Sequence, residues 1–518
     1  MQYNKVDEKI IENLKNIVGK ENVIVDKEAL ENYSHDETPL YKSMPEAAVK
    51  PYSTEEVSQI MKLAYDNNIP VTPRAGGTSL SAGAVPIHAG IVLSLERMNR
   101  IKEIDKKNLM VIVEPGIITE QLGNELTKYG LFFPPDPVSL DSCMIGGNIA
   151  ENAGGPRAMK YGVTKNYVTG LEAVLPDGEI LKIGGKLLKN VTGYDLIDLI
   201  IGSEGTLAIV TEATLKVLPL PHIIIDLLIS FKCVEDAVQF AIDILGQGLM
   251  PAAIEFMEGD MYRIVAKYLK RKLPFEQANA HAIVEIDGND KEQVRKIYDK
   301  IGDIALKYGA LDVLVGESAK DKENIWEPRK NTGDALKELV NPVAREDLVV
   351  PKDKIPELIK KLKDCVKKYG ANLYAFGHLG DGNIHADIGM VDYSDKNIDY
   401  SDDKKNGRKI LGNQEIRKSG DQEIKSEITN DKYQLKSLFI NDTEKINKIR
   451  REVYEITLSL GGAITAEHGI GLSKIQYLEM ALDKRQIEIM KKIKMIFDPK
   501  NILNPGKIFA SPAGLARN

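Results

Sequence analysis

Cysteine is scarce. The chain of 518 residues has three, Cys143, Cys233 and Cys365, far apart and forming no CxxC pair. That excludes a disulfide scaffold and a cysteine-ligated iron–sulfur cluster, and isolated thiols suit a reducing interior. Long apolar runs are missing as well. No uninterrupted stretch approaches the roughly 20 apolar residues that a membrane span needs. The N-terminus, MQYNKVDEKIIENL, is polar and acidic and lacks the apolar core of a signal peptide. There is no basic excess: 69 Lys and Arg stand against 76 Asp and Glu, a net charge of −7, with no basic cluster. Nucleic acid is therefore not expected as the main partner. These absences together predict a cytoplasmic protein with no membrane span.

What is present is an ordinary globular composition, 43% hydrophobic and 28% charged, on a chain too long for one core. Residues 1–44 read as a helical lead-in, with IIENLKNIV and KEALENY as short amphipathic pieces. From Pro45 short β runs alternate with helices, as in AAVKP, TEEVSQIMKLAYDNN, IPVTP, GIVLSL and LMVIVEPG, until LAIVTEATLKVLPLP closes the block near Pro221. Residues 222–391 begin again with IIIDLLISF as a second α/β region. Residues 392–445 open with the near-repeat DYSDKN and DYSDDK and stay densely charged, which predicts a solvated, flexible insertion. The helix KINKIRREVYEITLSLG then starts a C-terminal part, 446–518.

Three Gly/Ser/Thr-rich blocks stand out in the first region: PRAGGTSLSAGAV (73–85), PPDPVSLDSCMIGGNIAENAGG (134–155) and GYDLIDLIIGSEGTLAIVTEATL (193–215). Small residues let backbone amides point at phosphate oxygens with no side chain in the way. None of the blocks is a GxxxxGK[ST] P-loop or a GxGxxG fingerprint, so neither a Walker ATPase nor a Rossmann domain is indicated. Three such loops in one domain suggest an extended ligand with a pyrophosphate.

The second region contains HLGDGNIH, two of the chain's seven histidines seven residues apart around a flexible loop. The preceding NLYAFGH has the alternation of a buried strand, so a strand–turn–strand with a histidine on each arm is expected. Such histidines can share a metal or simply lie in a polar turn. TAEHGIG (465–471) adds Glu467 and His468. Two histidines and a carboxylate make a ligand set for Zn²⁺, Fe²⁺ or Mn²⁺ with an open position.

The ordered glycine blocks resemble the FAD-binding domain of the PCMH-type (vanillyl-alcohol oxidase) flavoproteins. The whole chain except 392–445 is similar to their glycolate oxidase and D-lactate dehydrogenase branch, which also includes D-2-hydroxyglutarate dehydrogenases. The resemblance implies an α+β fold: a two-subdomain FAD-binding domain (45–221), an α/β cap domain for the substrate, and a C-terminal helical segment returning to the flavin. It implies that Arg74, Ala75, Gly76, Gly77, Thr78 and Ser79 hold the FAD pyrophosphate. Pro135, Asp136, Ser142, Gly146, Gly147, Asn148, Ala150, Glu151, Asn152, Ala153 and Gly154 would line the flavin, ribose and phosphates. Glu204, Gly205 and Ile209 would surround the adenine half, and Asn504, in DPKNILNPGKIF, would touch the isoalloxazine edge. The first loop, RAGGTS, has no histidine for a flavin linkage, so non-covalent FAD is expected.

In the hydroxyglutarate branch HxGDGNxH and the glutamate of EHG bind a divalent metal, which makes His378, His385 and Glu467 the implied ligands. His468 is then the implied base, since a histidine side chain can accept a proton near neutral pH, and Asn383 can orient the substrate. Arg329, in IWEPRK, resembles the family's W-x-x-R arginine, and Arg345 stands where the hydroxyglutarate enzymes carry a lysine. Either guanidinium can hold a substrate carboxylate through two hydrogen bonds, or lie at the surface as most arginines do. The expected function is an FAD-dependent dehydrogenase of D-lactate or glycolate that passes electrons to a soluble acceptor such as electron-transfer flavoprotein. The sequence does not fix the oligomeric state, a homodimer being one expectation. The rivals are a D-2-hydroxyglutarate dehydrogenase, a non-catalytic flavin relay subunit, and a flavin-free metal hydrolase.

Overall fold

The computed structural model describes residues 3–38, 41–389 and 443–510. The charged stretch expected as an insertion, 392–445, lies almost wholly outside the described residues. The chain forms two compact units, residues 1–222 with 465–518, and residues 223–464. Among the described residues no helix is long and apolar enough to cross a membrane.

The first unit contains two main sheets. In the four-stranded one the order is Val23–Ile24, Ala47–Val49, Ile91–Ser94, Val71–Arg74, and its last three strands run parallel. The helix Thr54–Asp66 packs on it for reasons visible in its sequence. Ser53 caps its first turn, accepting the Glu56 amide, and Val57, Ile60, Met61 and Ala64 recur at helical spacing on the buried side. They share a core with Ile10 and Leu14 of the helix Glu8–Val18 and with Ile502 and Leu503 of the tail. Leu503 bridges to Val71, so the end of the chain completes the sheet begun near its start.

The other sheet has five antiparallel strands in the order Ile101–Asp105, Met110–Val113, Ile209–Lys216, Val168–Val174, Ile180–Gly184. Its inner residues form a second apolar core around Val111, Leu122, Ile145, Leu171 and Leu215. The first glycine-rich block leaves the strand Val71–Arg74, the third runs into Ile209–Lys216, and the second contains the helix Ile145–Glu151.

The second unit is built on a seven-stranded antiparallel sheet. Its order is Asp312–Gly316, Ile223–Phe231, Ala280–Gly288, Ala253–Glu258, Asn372–His378, Asn383–Gly389, Ala344–Val349. The expected strand–turn–strand around HLGDGNIH is present as the Asn372–His378 and Asn383–Gly389 hairpin. Because side chains alternate across a strand, Arg345 and Glu346 face opposite ways. Glu346 meets Arg450 at 2.6 Å and Tyr454, both on the helix Thr443–Ser459. The Arg345 side carries the polar residues described below.

One buried histidine lies apart from those. His281 is 1% exposed, stacks on Tyr262 with ring centroids 3.7 Å apart, and has Nε2 3.0 Å from the Phe275 carbonyl. Burial pushes its pKa down to about 4. The unfolded chain takes up this proton near pH 6.5 and the folded unit only near 4, so stability must fall as pH drops between those values. One proton allows a slope of at most about 1.4 kcal/mol per pH unit. We expect the thermal midpoint of His281→Phe to change less over this range than that of the parent protein. Parallel curves would show that His281 is not the group responsible.

Candidate active site

The sheet register of the second unit brings the histidine motif together with residues far away in sequence. Glu255 pairs with His378, His378 with Asn383, Phe376 with His385, His385 with Asp347, and Asp387 with Arg345. Directly paired residues point to the same side, so one face carries all of these groups. The two histidine rings sit edge to face with centroids 5.4 Å apart, and His385 also lies against Phe376.

Each histidine is backed by a carboxylate. Glu255 Oε1 is 2.6 Å from His378 Nδ1. An ionised carboxylate can only accept, so Nδ1 carries a hydrogen, and whenever the ring is neutral the lone pair is on Nε2. Asp347 Oδ1 lies 3.8 Å from His385 Nδ1 and accepts from Asn383 Nδ2 at 2.7 Å. Asn383 gives its other amide hydrogen to Leu348 O, so this side chain is fixed within the sheet. Metal-binding histidines are commonly oriented by a hydrogen-bonded carboxylate, and the contact at His378 has that form.

Arg329 comes from the helix Ala319–Lys330. It is 3% exposed, stands over the Phe376 ring at 5.1 Å, and has Nε 2.8 Å from Glu255 Oε2. That contact is close enough for an ion pair but is not aligned as a hydrogen bond. Burial pushes the Glu255 carboxyl up, and the charges of His378 and Arg329 more than offset this, leaving it below its ordinary range. Arg345 has Nε 3.4 Å from Asp387 Oδ2 and Nη2 3.4 Å from the Gly333 carbonyl. Burial raises the Asp387 carboxyl to about 7 against the pull of Arg345. Glu255, Asp347 and Asp387 were not singled out from the sequence. The one available signal was a lone carboxylate inside the apolar run AAIEFM.

In the first unit the glycine blocks meet without side chains between them. A Cβ on Gly76 would lie 2.5 Å from the Ser142 carbonyl oxygen, one on Gly155 2.4 Å from the Asp136 carbonyl oxygen, and one on Gly147 3.5 Å from Ala75 Cβ. Only glycine permits the first approach. Loops that touch backbone to backbone in this way can turn their amides to a pyrophosphate-containing cofactor. Asn504 supports this fit. Its Nδ2 donates to Gly83 O at 3.1 Å and Glu204 O at 2.9 Å, while its buried Oδ1 has no hydrogen-bond partner among the described residues. That acceptor suits a ligand N–H.

Other residues of the predicted set are placed less simply. The Arg74 guanidinium turns back to the His35 carbonyl at 2.7 Å. Asn148 donates to Thr119 Oγ1 at 2.8 Å, and Asp136 pairs with Arg157 at 3.5 Å. Ile209 begins a strand and is buried in the apolar core. Glu204 accepts two amides from the turn after His468, at 2.7 and 2.6 Å. Glu467 Oε2 lies 3.3 Å from where a Cβ on Gly154 would be, beside the block expected to line the flavin. His468 Nε2 is 3.7 Å from Glu467 Oε1, and both side chains are partly exposed.

A backbone-lined cofactor cradle in one unit and a histidine–carboxylate–arginine face in the other define a flavin-linked oxidoreductase. Comparison with known proteins agrees. Residues 45–184 match the FAD binding domain family, and residues 224–404 and 437–508 match the C-terminal domain of FAD linked oxidases. Glycolate oxidase subunit GlcD of Bacillus subtilis is 38% identical over 93% of this chain and 92% of its own length. D-lactate dehydrogenase of Anaerostipes hadrus is 37% identical over 98% of both chains. D-2-hydroxyglutarate dehydrogenase of Stutzerimonas stutzeri is 30% identical over 98% of this chain and all of that one. Among solved structures, 4-ethylphenol oxidase from Gulosibacter chungangensis superposes with a TM-score of 0.73 at 20% identity, covering 98% of this chain and 97% of that one. The chain belongs to the PCMH-type FAD-linked oxidases, in the branch with glycolate oxidase and D-lactate dehydrogenase.

Glu255→Ala should destabilise the second unit by about 3–5 kcal/mol, because it leaves the Arg329 charge buried beside no carboxylate. Glu255→Gln should cost less, since it keeps the acceptor for His378. Urea unfolding followed by intrinsic fluorescence measures both. A loss below about 1 kcal/mol for the alanine variant, the scale of an exposed pair, would mean that Glu255 does not compensate Arg329.

Proposed function

We propose that the protein is an FAD-dependent dehydrogenase that oxidises a short D-2-hydroxy acid, D-lactate or glycolate, to the 2-oxo acid. The observation that carries this reading is the face holding His378 on Glu255 and Arg329 beside it. It offers an oriented ring nitrogen on a strand and a guanidinium from the helix Ala319–Lys330 beside it.

The residues named at the glycine blocks other than Glu204, with Asn504, would hold FAD non-covalently, and the bound flavin would supply the hydride acceptor. His378, His385 and Glu467 would hold one divalent cation, which would supply Lewis acidity at the 2-hydroxyl. His468 takes the hydroxyl proton as the C2 hydride leaves. Arg329 and Arg345 bind and orient the substrate carboxylate. Arg345 already has Asp387 as a neighbour at 3.4 Å, so its charge is partly matched within the sheet. That favours an acid with one carboxylate over D-2-hydroxyglutarate, which remains the second reading because a dehydrogenase of that acid is 30% identical. The three cysteines are free thiols, which suits a reducing cytoplasm, and a soluble acceptor such as electron-transfer flavoprotein would take the electrons.

Anaerobic mixing with a panel of D- and L-2-hydroxy acids tests the substrate. D-lactate or glycolate should bleach the flavin fastest, and preferential bleaching by D-2-hydroxyglutarate would overturn the assignment. Acid precipitation should release yellow FAD into the supernatant, whereas colour held in the pellet would contradict non-covalent binding. Chelation should stop bleaching while FAD stays bound; full activity in metal-free protein would remove the cation from the scheme. His468→Ala should slow bleaching by about 10²–10⁴-fold, the usual share of a positioned base. A parental rate would put the base elsewhere.

A further inference from the structure

We propose that Glu204 is a positioning residue whose carboxylate pins the turn 469–471, thereby setting Glu467 and His468; this rests on the roles given to those two residues above. The family resemblance would instead have Glu204 touch the adenine half of the cofactor.

The geometry points to the turn. Glu204 Oε1 accepts the Ile470 N–H at 2.7 Å and Oε2 accepts the Gly471 N–H at 2.6 Å. Two consecutive amides on the two oxygens of one carboxylate form a charge-assisted clamp. Both oxygens of Glu204 are engaged in this way, and the residue is 7% exposed. The backbone is committed to the same end. Glu204 has φ +53°, a left-handed conformation that non-glycine residues adopt rarely and at a cost. Its N–H donates to Ala150 O at 2.8 Å, and its carbonyl accepts Asn504 Nδ2 at 2.9 Å. One residue thus joins the end of the helix Ile145–Glu151, the turn after His468 and the C-terminal tail.

The turn is pressed against the acid. A Cβ on Gly469, whose φ is +76°, would come within 2.8 Å of Glu204 Oε1 and 2.7 Å of Glu151 Oε2. Lys474 and Lys507 supply positive charge near Glu204, and Asp36 and Glu204 supply negative charge near Glu151. His468 lies two residues before Ile470, so a displacement of Ile470 and Gly471 reaches it through Gly469 alone. Each Glu204 oxygen thus already has one amide donor from the turn.

Glu204→Gln keeps the shape but has one acceptor oxygen and turns an NH₂ toward an amide N–H, so one clamp bond must break. Hydrogen exchange of the peptide covering 469–472 reads the clamp without any activity. We expect exchange there to quicken by about tenfold, the worth of one net hydrogen bond. FAD content should be unchanged, and flavin reduction at saturating substrate should slow by about 10²-fold, as for an ångström-scale misplacement, with a shifted pH profile. Gly469→Ala, which forces a methyl against the carboxylate, should do the same and serves if the first variant does not fold. Unchanged exchange overturns the clamp. Quickened exchange with parental reduction and pH profile overturns its role in setting Glu467 and His468. Loss of FAD with a parental rate after FAD is resupplied overturns it in favour of a cofactor contact. If His468→Ala itself bleaches at the parental rate, the base assignment has failed, and the exchange result still decides the clamp.

Discussion

Much of the second unit is arranged around a single carboxylate that should not be where it is. Glu255 is completely buried in a strand of apolar neighbours, where an isolated charge would cost several kcal/mol. It is tolerable because His378 approaches one oxygen at 2.6 Å and Arg329 the other at 2.8 Å. The consequence runs in the other direction as well. A strand from 253–258, a strand ending at 378 and a helix ending at 330 must all meet at this point, or a charge is left stranded. The tautomer of His378, the depth of Arg329 and the pairing of two strands are therefore one constraint, and the chemistry assigned to this face inherits its rigidity from it.

How much of this could be read from the sequence follows from which contacts are local. The helix Thr54–Asp66 and the hairpin around HLGDGNIH are written in short-range patterns, a capped 3.6-residue period and alternating apolar residues flanking a glycine turn, and both form as expected. His378 and His385 were identifiable because the hairpin sets them on one face. Their supports were not. Glu255 reaches His378 across 123 residues, and Asp347 reaches Asn383 across 36. Nothing local says that the 253–258 strand will lie between 280–288 and 372–378. The same limit explains Glu204. Within GSEGT it looks like part of a glycine loop, and its partners at 470 and 471 are 266 and 267 residues away.

The first unit meets a similar problem with backbone in place of side chains. A surface lined by amides needs loops that touch, and touching loops need glycine at the contact and anchored ends. The C-terminal tail provides one anchor. Lys494, buried, donates to the carbonyls of Thr206 and Leu503 and pairs with Asp498 at 2.6 Å. Lys507, also buried, donates to Val85 O. Burial lowers both ammonium pKa values, Lys507 to about 8. Each ammonium is thus spent on carbonyls that regular structure leaves over. The tail holds the first and third glycine blocks by hydrogen bonds, and the apolar contacts of Ile502 and Leu503 add the nonpolar part.

These two solutions divide the reactive groups by kind of support. His378 and His385 stand on paired strands, where register fixes a side chain's origin and a neighbouring carboxylate fixes its ring. Glu467 and His468 stand on irregular chain before Gly469 and Gly471, where no ladder exists to hold them. Sites on strands are intrinsically more precise than sites on loops, so a loop that carries such side chains needs other side chains to replace the missing ladder. A buried acid accepting consecutive amides does this economically, because it grips the backbone itself and leaves the reactive side chains untouched. The left-handed backbone at Glu204 is the local cost of aiming that acid at a turn more than two hundred and sixty residues away. A strained residue whose neighbours over-determine it can hold such a turn in place.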